Sequence, residues 1–124
     1  MVHLQGILVL QVWGGGGVIW DCRGGWVRGF SRSIGLASSV QVELRALLDG
    51  LLITVELNIP FLEIEMDSLV AVDLILAIHP ANVFFRSIIS DCRYLLEKFE
   101  SVSIKHIYRE ANMCVDLLAK AGCD

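Results

Sequence analysis

Short apolar runs bounded by turn residues are the first regularity along this chain. The segments "GILVLQVW", "FLEIEM" and "SVSIKHIY" each have the length and residue types of a β-strand. Two further runs, "GGGGVIWDC" and "WVRGFSRSI", are separated by a glycine turn and predict an antiparallel hairpin. In "FLEIEM", alternation places Leu62, Ile64 and Met66 on one face of the strand, and the carboxylates Glu63, Glu65 and Asp67 on the other. The pattern therefore predicts five strands.

A long helical pattern follows "GLASS". Apolar residues recur at helical spacing between Val40 and Val55, and they form a wide stripe on one side of the predicted helix. Ser38 or Ser39 can cap its first turn. The helix should end at "NIP", because Pro60 disfavours helical geometry in the residue before it.

Three shorter helical patterns occupy the second half of the chain. They cover about 68–78, about 83–98 and "MCVDLLAKAG", which Gly122 should stop. The predicted order is three strands, a helix, a strand, two helices, a strand and a helix. A hairpin followed by β–α crossovers implies an α/β fold, with helices packed on a mixed sheet.

Composition limits the class of protein. The 124 residues suffice for one ordinary domain, so we expect a single domain over 1–124. The net charge of −4 argues against binding nucleic acid by bulk electrostatics, although a local basic strip stays open. Four cysteines lack the spacing of a zinc site, which favours reduced thiols in an intracellular protein of the nucleus or cytoplasm. No stretch has the features of a signal peptide or a membrane span.

Three acids stand at the ends of predicted elements. Glu43 lies early in the long helix, Asp67 follows "FLEIEM" directly, and Asp116 lies early in the closing helix. Each has an ordinary alternative explanation, as a partner of the helix dipole or a solvated surface residue. If the three converge, their repulsion requires protonation or a cation. Oxygen ligands of this kind suit Mg²⁺ or Mn²⁺.

Four motifs in register add a family resemblance. The stretches "GGGGVIWDCRGGWVRGFSRSIG", "SSVQVELRALLDGL", "LEIEMDSLVAVDLI" and "IKHIYREANMCVDLLAKAG" resemble the ribonuclease H type-1 domain. The similarity is greatest to the reverse-transcriptase-associated form of plant retroelement-derived proteins, and it covers residues 14–121. The resemblance implies a ribonuclease H-like fold with a five-stranded mixed sheet. It also implies an endonuclease that cuts the RNA strand of an RNA–DNA hybrid.

The resemblance assigns roles to the three acids. Glu43, Asp67 and Asp116 match the catalytic acids that hold two Mg²⁺ (or Mn²⁺) ions in the family. The implied reaction is two-metal hydrolysis, in which one ion activates water and the other stabilises the leaving oxygen. No small-molecule cofactor is implied, and the sequence leaves the oligomeric state open.

The first strand departs from the family pattern. The family places its first catalytic aspartate there, in a "DG"-like motif ahead of the glycines, but residues 1–20 contain no Asp or Glu. Asp21 belongs to the hairpin motif, so residues 1–13 form an atypical first strand. Three explanations stay open: a degenerate inactive domain, a fragment or misjoined chain, or substitution by another group. The alternative function is therefore a non-catalytic nucleic-acid-binding domain or a retroelement remnant.

Candidate substrate contacts come from two regions. Arg109 and Asn112 lie in the loop that approaches the carboxylates in the family, and Arg28 and Arg32 alternate with aromatic residues on "WVRGFSRSI". The alternative for the two strand arginines is that their stems cover apolar neighbours. The sequence lacks the strong basic protrusion that tight hybrid binders use, so weak, salt-sensitive binding is expected.

Three polar residues receive ordinary assignments. Glu63 and Glu65 are expected to form an outward polar row on their strand, and His106 is expected to be an unexceptional strand histidine.

Overall fold

The computed structural model describes residues 6–32, 38–77 and 84–107. Within these ranges, five strands and three helices follow one another along the chain. In chain order they are β1 (Ile7–Trp13), β2 (Gly16–Asp21), β3 (Trp26–Ser31), α1 (Ser39–Glu56), β4 (Phe61–Met66), α2 (Leu69–Leu76), α3 (Arg86–Leu96) and β5 (Ser101–His106).

The strands form one mixed sheet in the order β3-β2-β1-β4-β5. β2 pairs antiparallel with both β1 and β3, whereas β4 pairs parallel with both β1 and β5. This arrangement confirms the predicted five-stranded mixed sheet. Because β1, β4 and β5 run in the same direction, their carboxyl ends meet at one edge of the sheet.

The core lies between the sheet and α1. Leu8, Leu10 and Val12 alternate along β1 and are 1%, 0% and 0% exposed. They belong to one cluster with the apolar stripe of α1, whose fully buried members include Leu44, Leu47 and Leu51. Burying each such leucine contributes roughly 1.5–3 kcal/mol. This packing holds α1 rigidly over the central strands, so its side chains have fixed positions above the sheet edge.

Local signals set the ends of the helices. Ser38 caps α1, since its Oγ accepts the Gln41 N–H at 3.1 Å. The helix ends two residues before the predicted "NIP" stop, because Asn58 adopts a left-handed conformation with φ 59°. Helix α3, at Arg86–Leu96, is shorter than the predicted 83–98. The predicted closing helix lies outside the described residues.

Membrane spans and disulfide bonds were both unexpected from the sequence. No helix in the described ranges is long and apolar enough to cross a membrane. Neither Cys22 nor Cys92 forms a disulfide bond there, and Cys114 and Cys123 lie outside those ranges.

A two-residue glycine turn joins β1 to β2. Trp13 pairs with Gly16, and Gly14 has a left-handed φ of 56°, which glycine adopts without strain. Gly17 is needed for a different reason, because a Cβ there would clash with the backbone carbonyl oxygen of Gln11. Close packing of the glycines therefore holds the turn against the end of β1.

We predict that Gly17→Ala destabilises the fold. The clash is with backbone, which cannot rotate away, so we expect the free energy of unfolding to fall by about 1–3 kcal/mol in urea titrations. Gly29→Ala is the matched control on the paired strand, because the nearest atom to its Cβ is the Trp26 ring at 3.6 Å, an ordinary contact. Equal losses from the two substitutions would contradict the packing argument.

Candidate metal and nucleic-acid site

Three segments meet at the carboxyl edge of the sheet. They are the β1–β2 turn, the junction between β4 and α2, and the first turns of α1. Asp67 follows β4 directly, as predicted, and Ser68 caps α2 through its Oγ, which accepts the Ala71 N–H at 3.1 Å. Ligands commonly bind at such an edge, where parallel strands end and helices begin.

Glu43 is the buried carboxylate of this edge. It lies in the second turn of α1 and is only 2% exposed. Its Oε2 accepts the backbone N–H groups of Asp67 at 2.9 Å and Ser68 at 3.0 Å. The backbone of Gly14 also hydrogen-bonds to this carboxyl group. Glu43 thus joins α1 to both the β4–α2 junction and the β1–β2 turn.

The charge of Glu43 is finely balanced. The pKa of Glu43 is raised from an ordinary 4.5 to about 7, chiefly by burial and in smaller part by the nearby negative charge of Asp67. The backbone hydrogen bonds from Ser68, Asp67 and Gly14 oppose this rise. The protonated and charged forms are therefore both populated near neutral pH. A cation beside the pair would favour the charged form.

Asp67 presents the second carboxylate. Its side chain is half-buried, and it makes no hydrogen bond or ion pair with any residue of the described ranges. Its interaction with Glu43 is the repulsion noted above. Two of the three acids predicted to converge are therefore adjacent, and one of them is open to a ligand.

Trp13 stands beside Asp67 on β1. The parallel register pairs Val12 with Met66, and the Asp67 N–H donates to the Val12 carbonyl oxygen at 3.1 Å, so Trp13 and Asp67 are the residues that directly follow the last paired residues of the two strands. Trp13 directly precedes Gly14, so the pair "WG" lies where the resemblance implies "DG". β1 itself is a regular central strand, and the atypical features are this tryptophan and the short turn. An indole offers an N–H donor and no oxygen ligand.

The described residues supply two carboxylates, Glu43 and Asp67, which suit a divalent ion but are fewer than the family uses to hold two ions. In residues 6–32, 38–77 and 84–107, no group of three or more His, Cys, Asp or Glu side chains could hold a metal ion. In those ranges, the oxygen ligands available at this edge are the open carboxylate of Asp67 and the neighbouring carboxylate of Glu43. Asp116, Arg109 and Asn112 lie outside the described residues, so their predicted roles stay predictions.

The predicted basic strip on β3 is only partly available. Arg32 donates from Nε and Nη2 to the carboxylate of Asp49, each at 2.9 Å. Phe30 faces α1, since its ring lies close to Gly50 in the core. Arg28 is exposed and makes no ion pair in the part of the chain that the structure describes, and Trp26 is 64% exposed. Arg28 is thus the better candidate contact of the two arginines.

The expected outward row of glutamates is wrong for one residue. Glu63 is half-buried, but Glu65 is 2% exposed, and Lys105 Nζ lies 2.6 Å from Glu63 and 3.7 Å from Glu65. In the sheet register Glu65 lies between Gln11 of β1 and Lys105 of β5, whose side chains flank it on the face away from α1. The alternation in "FLEIEM" gives the direction of each side chain but not what covers it.

His106 is the functional candidate that sequence analysis missed. It ends β5, and its Nε2 lies 3.1 Å from the backbone carbonyl oxygen of Asp67. No local motif marks this contact, because the two residues are 39 positions apart. Only the β4–β5 pairing brings them together.

Comparison with known proteins places the chain in a family. Residues 11–122 match the model of the reverse transcriptase-like family. A protein of Arabidopsis thaliana, provisionally named a ribonuclease H protein, is 40% identical over 108 residues, which is 84% of this chain and 17% of the relative. The chain therefore corresponds to only a small part of that relative, 17% of its length.

Solved structures share the fold. Ribonuclease H1 from the archaeon Halobacterium salinarum superposes with a TM-score of 0.78 at 25% identity, covering 91% of this chain and 94% of that one. The N-terminal ribonuclease H domain of a Mycobacterium tuberculosis protein gives 0.76 at 20% identity, covering 95% and 97%. A ribonuclease H1 named LC11, solved in complex with an RNA/DNA hybrid, gives 0.74 at 20% identity, covering 90% and 92%. Together with the family match, these similarities show that the chain belongs to the reverse transcriptase-like family and is a ribonuclease H-like domain.

Proposed function

We propose that this domain binds an RNA–DNA hybrid at the Glu43–Asp67 edge and that Trp13 prevents it from hydrolysing the RNA strand. The observation that carries the proposal is the end of the β1–β4 register, where Val12 pairs with Met66 and the next residue of β1 is a tryptophan in place of a carboxylate. The binding half is supported by the shared fold with LC11 ribonuclease H1, whose structure contains an RNA/DNA hybrid. Members of the family are expected to cut the RNA strand of such a hybrid.

Asp67 and Glu43 are the proposed ligands for Mg²⁺ or Mn²⁺. Carboxylate oxygens suit these ions, and a cation would relieve the repulsion that helps to raise the pKa of Glu43. When bound, such an ion supplies an activated water and stabilisation of developing negative charge. The proposed role of Glu43 is to hold the Asp67 junction in place, and that of Asp67 is to present an open carboxylate. Asp116 is proposed as the third ligand by resemblance.

Substrate contact is proposed to involve Arg28 together with Arg109 and Asn112. Phosphate contacts from a few such side chains position a duplex without reading its sequence. Arg32 contributes less in this proposal, because the carboxylate of Asp49 already neutralises it. The acidic net charge of −4 makes the affinity weak and strongly dependent on salt.

We predict that Trp13→Asp confers hybrid cleavage in Mg²⁺ that the unmodified chain lacks. The substitution places a carboxylate beside Asp67, and we expect cleavage roughly 10²-fold or more above the unmodified chain, measured on a labelled RNA–DNA hybrid. Trp13→Ala is the control, since it removes the indole without adding a ligand. Efficient cleavage by the unmodified chain that Asp67→Asn abolishes would show that Trp13 does not prevent catalysis. Failure of the unmodified chain to bind the hybrid would refute the binding half.

We predict that Arg28→Ala weakens hybrid binding and reduces its salt dependence. Loss of one phosphate contact should lower the slope of log K against log salt by about 1, as measured by fluorescence anisotropy at several salt concentrations. Arg23→Ala is the matched control, because Arg23 is also exposed but lies in the β2–β3 turn. An identical change in slope for both variants would mean that only net charge matters.

We predict a pH dependence of stability that originates at Glu43. The folded-state pKa of about 7 exceeds the ordinary 4.5, so the folded state binds the proton more tightly than the unfolded chain does. This stabilising contribution is complete below about pH 4.5 and is lost as the pH rises through about 7. In metal-free urea titrations, the free energy of unfolding should therefore fall by about 3 kcal/mol less in Glu43→Gln than in the unmodified chain as the pH rises through this window. Glu56→Gln, an exposed substitution on the same helix, should leave this pH dependence of the free energy of unfolding unchanged. The same pH dependence in Glu43→Gln as in the unmodified chain would contradict the assignment.

A further inference from the structure

The peptide group that precedes the Asp67 side chain is held at both ends. The Met66 carbonyl oxygen accepts the Ile107 N–H at 2.9 Å. The Asp67 N–H points at Glu43 Oε2, at 2.9 Å, and at the Val12 carbonyl oxygen, at 3.1 Å. Neither end of this peptide group can rotate without breaking a hydrogen bond.

The peptide group that follows the side chain is held in the same way. The Ser68 N–H donates to Glu43 Oε2 at 3.0 Å, and the Asp67 carbonyl oxygen lies 3.1 Å from His106 Nε2. A carbonyl oxygen only accepts, so His106 carries a proton on Nε2 and donates it. Glu43 and His106 thus hold opposite ends of one peptide group.

The consequence is a fixed backbone under an unpartnered carboxylate. With both flanking peptide groups held, the φ and ψ angles of Asp67 have little freedom. Yet the carboxylate of Asp67 makes no hydrogen bond or ion pair across the described ranges, and Ser68 supplies the side-chain cap of α2. A rigid backbone that presents an open carboxylate is the arrangement expected of a preorganised ligand site.

The side chain of His106 is not needed for strand pairing. The β4–β5 register ends with Met66 opposite His106, and backbone groups supply the ladder up to that pair. The imidazole reaches one residue past this pair, to the carbonyl of Asp67. An apolar side chain at position 106 would leave the ladder intact and the Asp67 carbonyl without this donor.

We propose that His106 is a positioning residue that orients the carboxylate of Asp67 for a divalent cation. The proposal rests on the proposed function, in that it takes Asp67 as a cation-binding carboxylate. His106 acts through the Asp67–Ser68 peptide group and does not itself contact the ion. It differs in this from the unexceptional strand histidine that the sequence predicted.

The test compares His106→Gln, His106→Phe and His106→Asn. Glutamine can place its Nε2 near the position of the imidazole Nε2, whereas phenylalanine has no donor and asparagine is one methylene too short. The first measurement is the amide ¹⁵N resonance of Ser68, which responds to hydrogen bonding at the Asp67 carbonyl. We expect it to shift in His106→Phe and His106→Asn and to stay near the unmodified value in His106→Gln.

The second measurement is calorimetric titration with Mg²⁺ alone. Loss of a residue that orients a ligand typically weakens metal affinity roughly 10–100-fold. We expect a weakening of at least roughly tenfold in His106→Phe and His106→Asn, with His106→Gln close to the unmodified chain. Ile104→Val is the structural control, because it removes a methyl group from β5 that packs on the core and leaves the Asp67 contacts unchanged. Asp67→Asn gives the Mg²⁺ affinity that is expected when a ligand itself is lost.

The outcomes separate this inference from the proposed function. If the unmodified chain binds neither Mg²⁺ nor hybrid, the proposed function fails, and an unshifted Ser68 resonance in His106→Asn would then overturn the positioning geometry as well. If the unmodified chain binds Mg²⁺ and His106→Phe binds it equally tightly, only the positioning role is overturned. The same follows if His106→Gln or Ile104→Val weakens binding as much as His106→Asn. Should His106→Phe fail to fold, the Gln and Asn pair still decides.

Discussion

The buried carboxylate of Glu43 is the interaction on which the sheet edge depends. It accepts backbone N–H groups from Asp67 and Ser68 and also bonds to the backbone of Gly14. One side chain of α1 thereby joins the ends of β1 and β4, which are far apart in sequence. Without Glu43 the Ser68 N–H would lose its acceptor at a cost of about 1–3 kcal/mol, which opposes the penalty that burial places on the charge of Glu43. The pKa of Glu43 is raised because desolvation outweighs the backbone hydrogen bonds that favour the charged form.

Elements whose limits are set by neighbours in sequence were predicted well. β4 was predicted at 61–66 and lies at Phe61–Met66, because a period-two run is bounded there by Pro60 and by the capping Ser68. The start of α1 follows from Ser38 in the same way. The convergence of Glu43 and Asp67 was also predictable, since one begins a helix and the other ends a parallel strand. The carboxyl end of α1 was harder to predict, because the left-handed Asn58 ends the helix before Pro60 can do so.

Features that depend on pairing between distant strands could not be predicted. The absence of an acid in the first strand was visible in the sequence, but only the β1–β4 register identifies Trp13 as the neighbour of Asp67. Glu65 alternates outward from α1 as expected, yet it is buried between the side chains in register with it, Gln11 of β1 and Lys105 of β5. The contact of His106 with Asp67 requires the β4–β5 register and the length of an imidazole. In all three cases the missing information is what lies across the sheet.

The loss of an acid from β1 is compatible with the intact Asp67 geometry for a specific reason. β1 contributes to that geometry only through backbone groups, namely the Val12 carbonyl oxygen and the Gly14 backbone. Any side chain at position 13 leaves these groups in place, so tryptophan there breaks none of the hydrogen bonds around Asp67. It also adds no third negative charge beside a pair that already disfavours ionisation of Glu43. The hydrogen bonds that hold the Asp67 backbone are therefore independent of the charge at position 13, and on the proposed function the first can persist without the second.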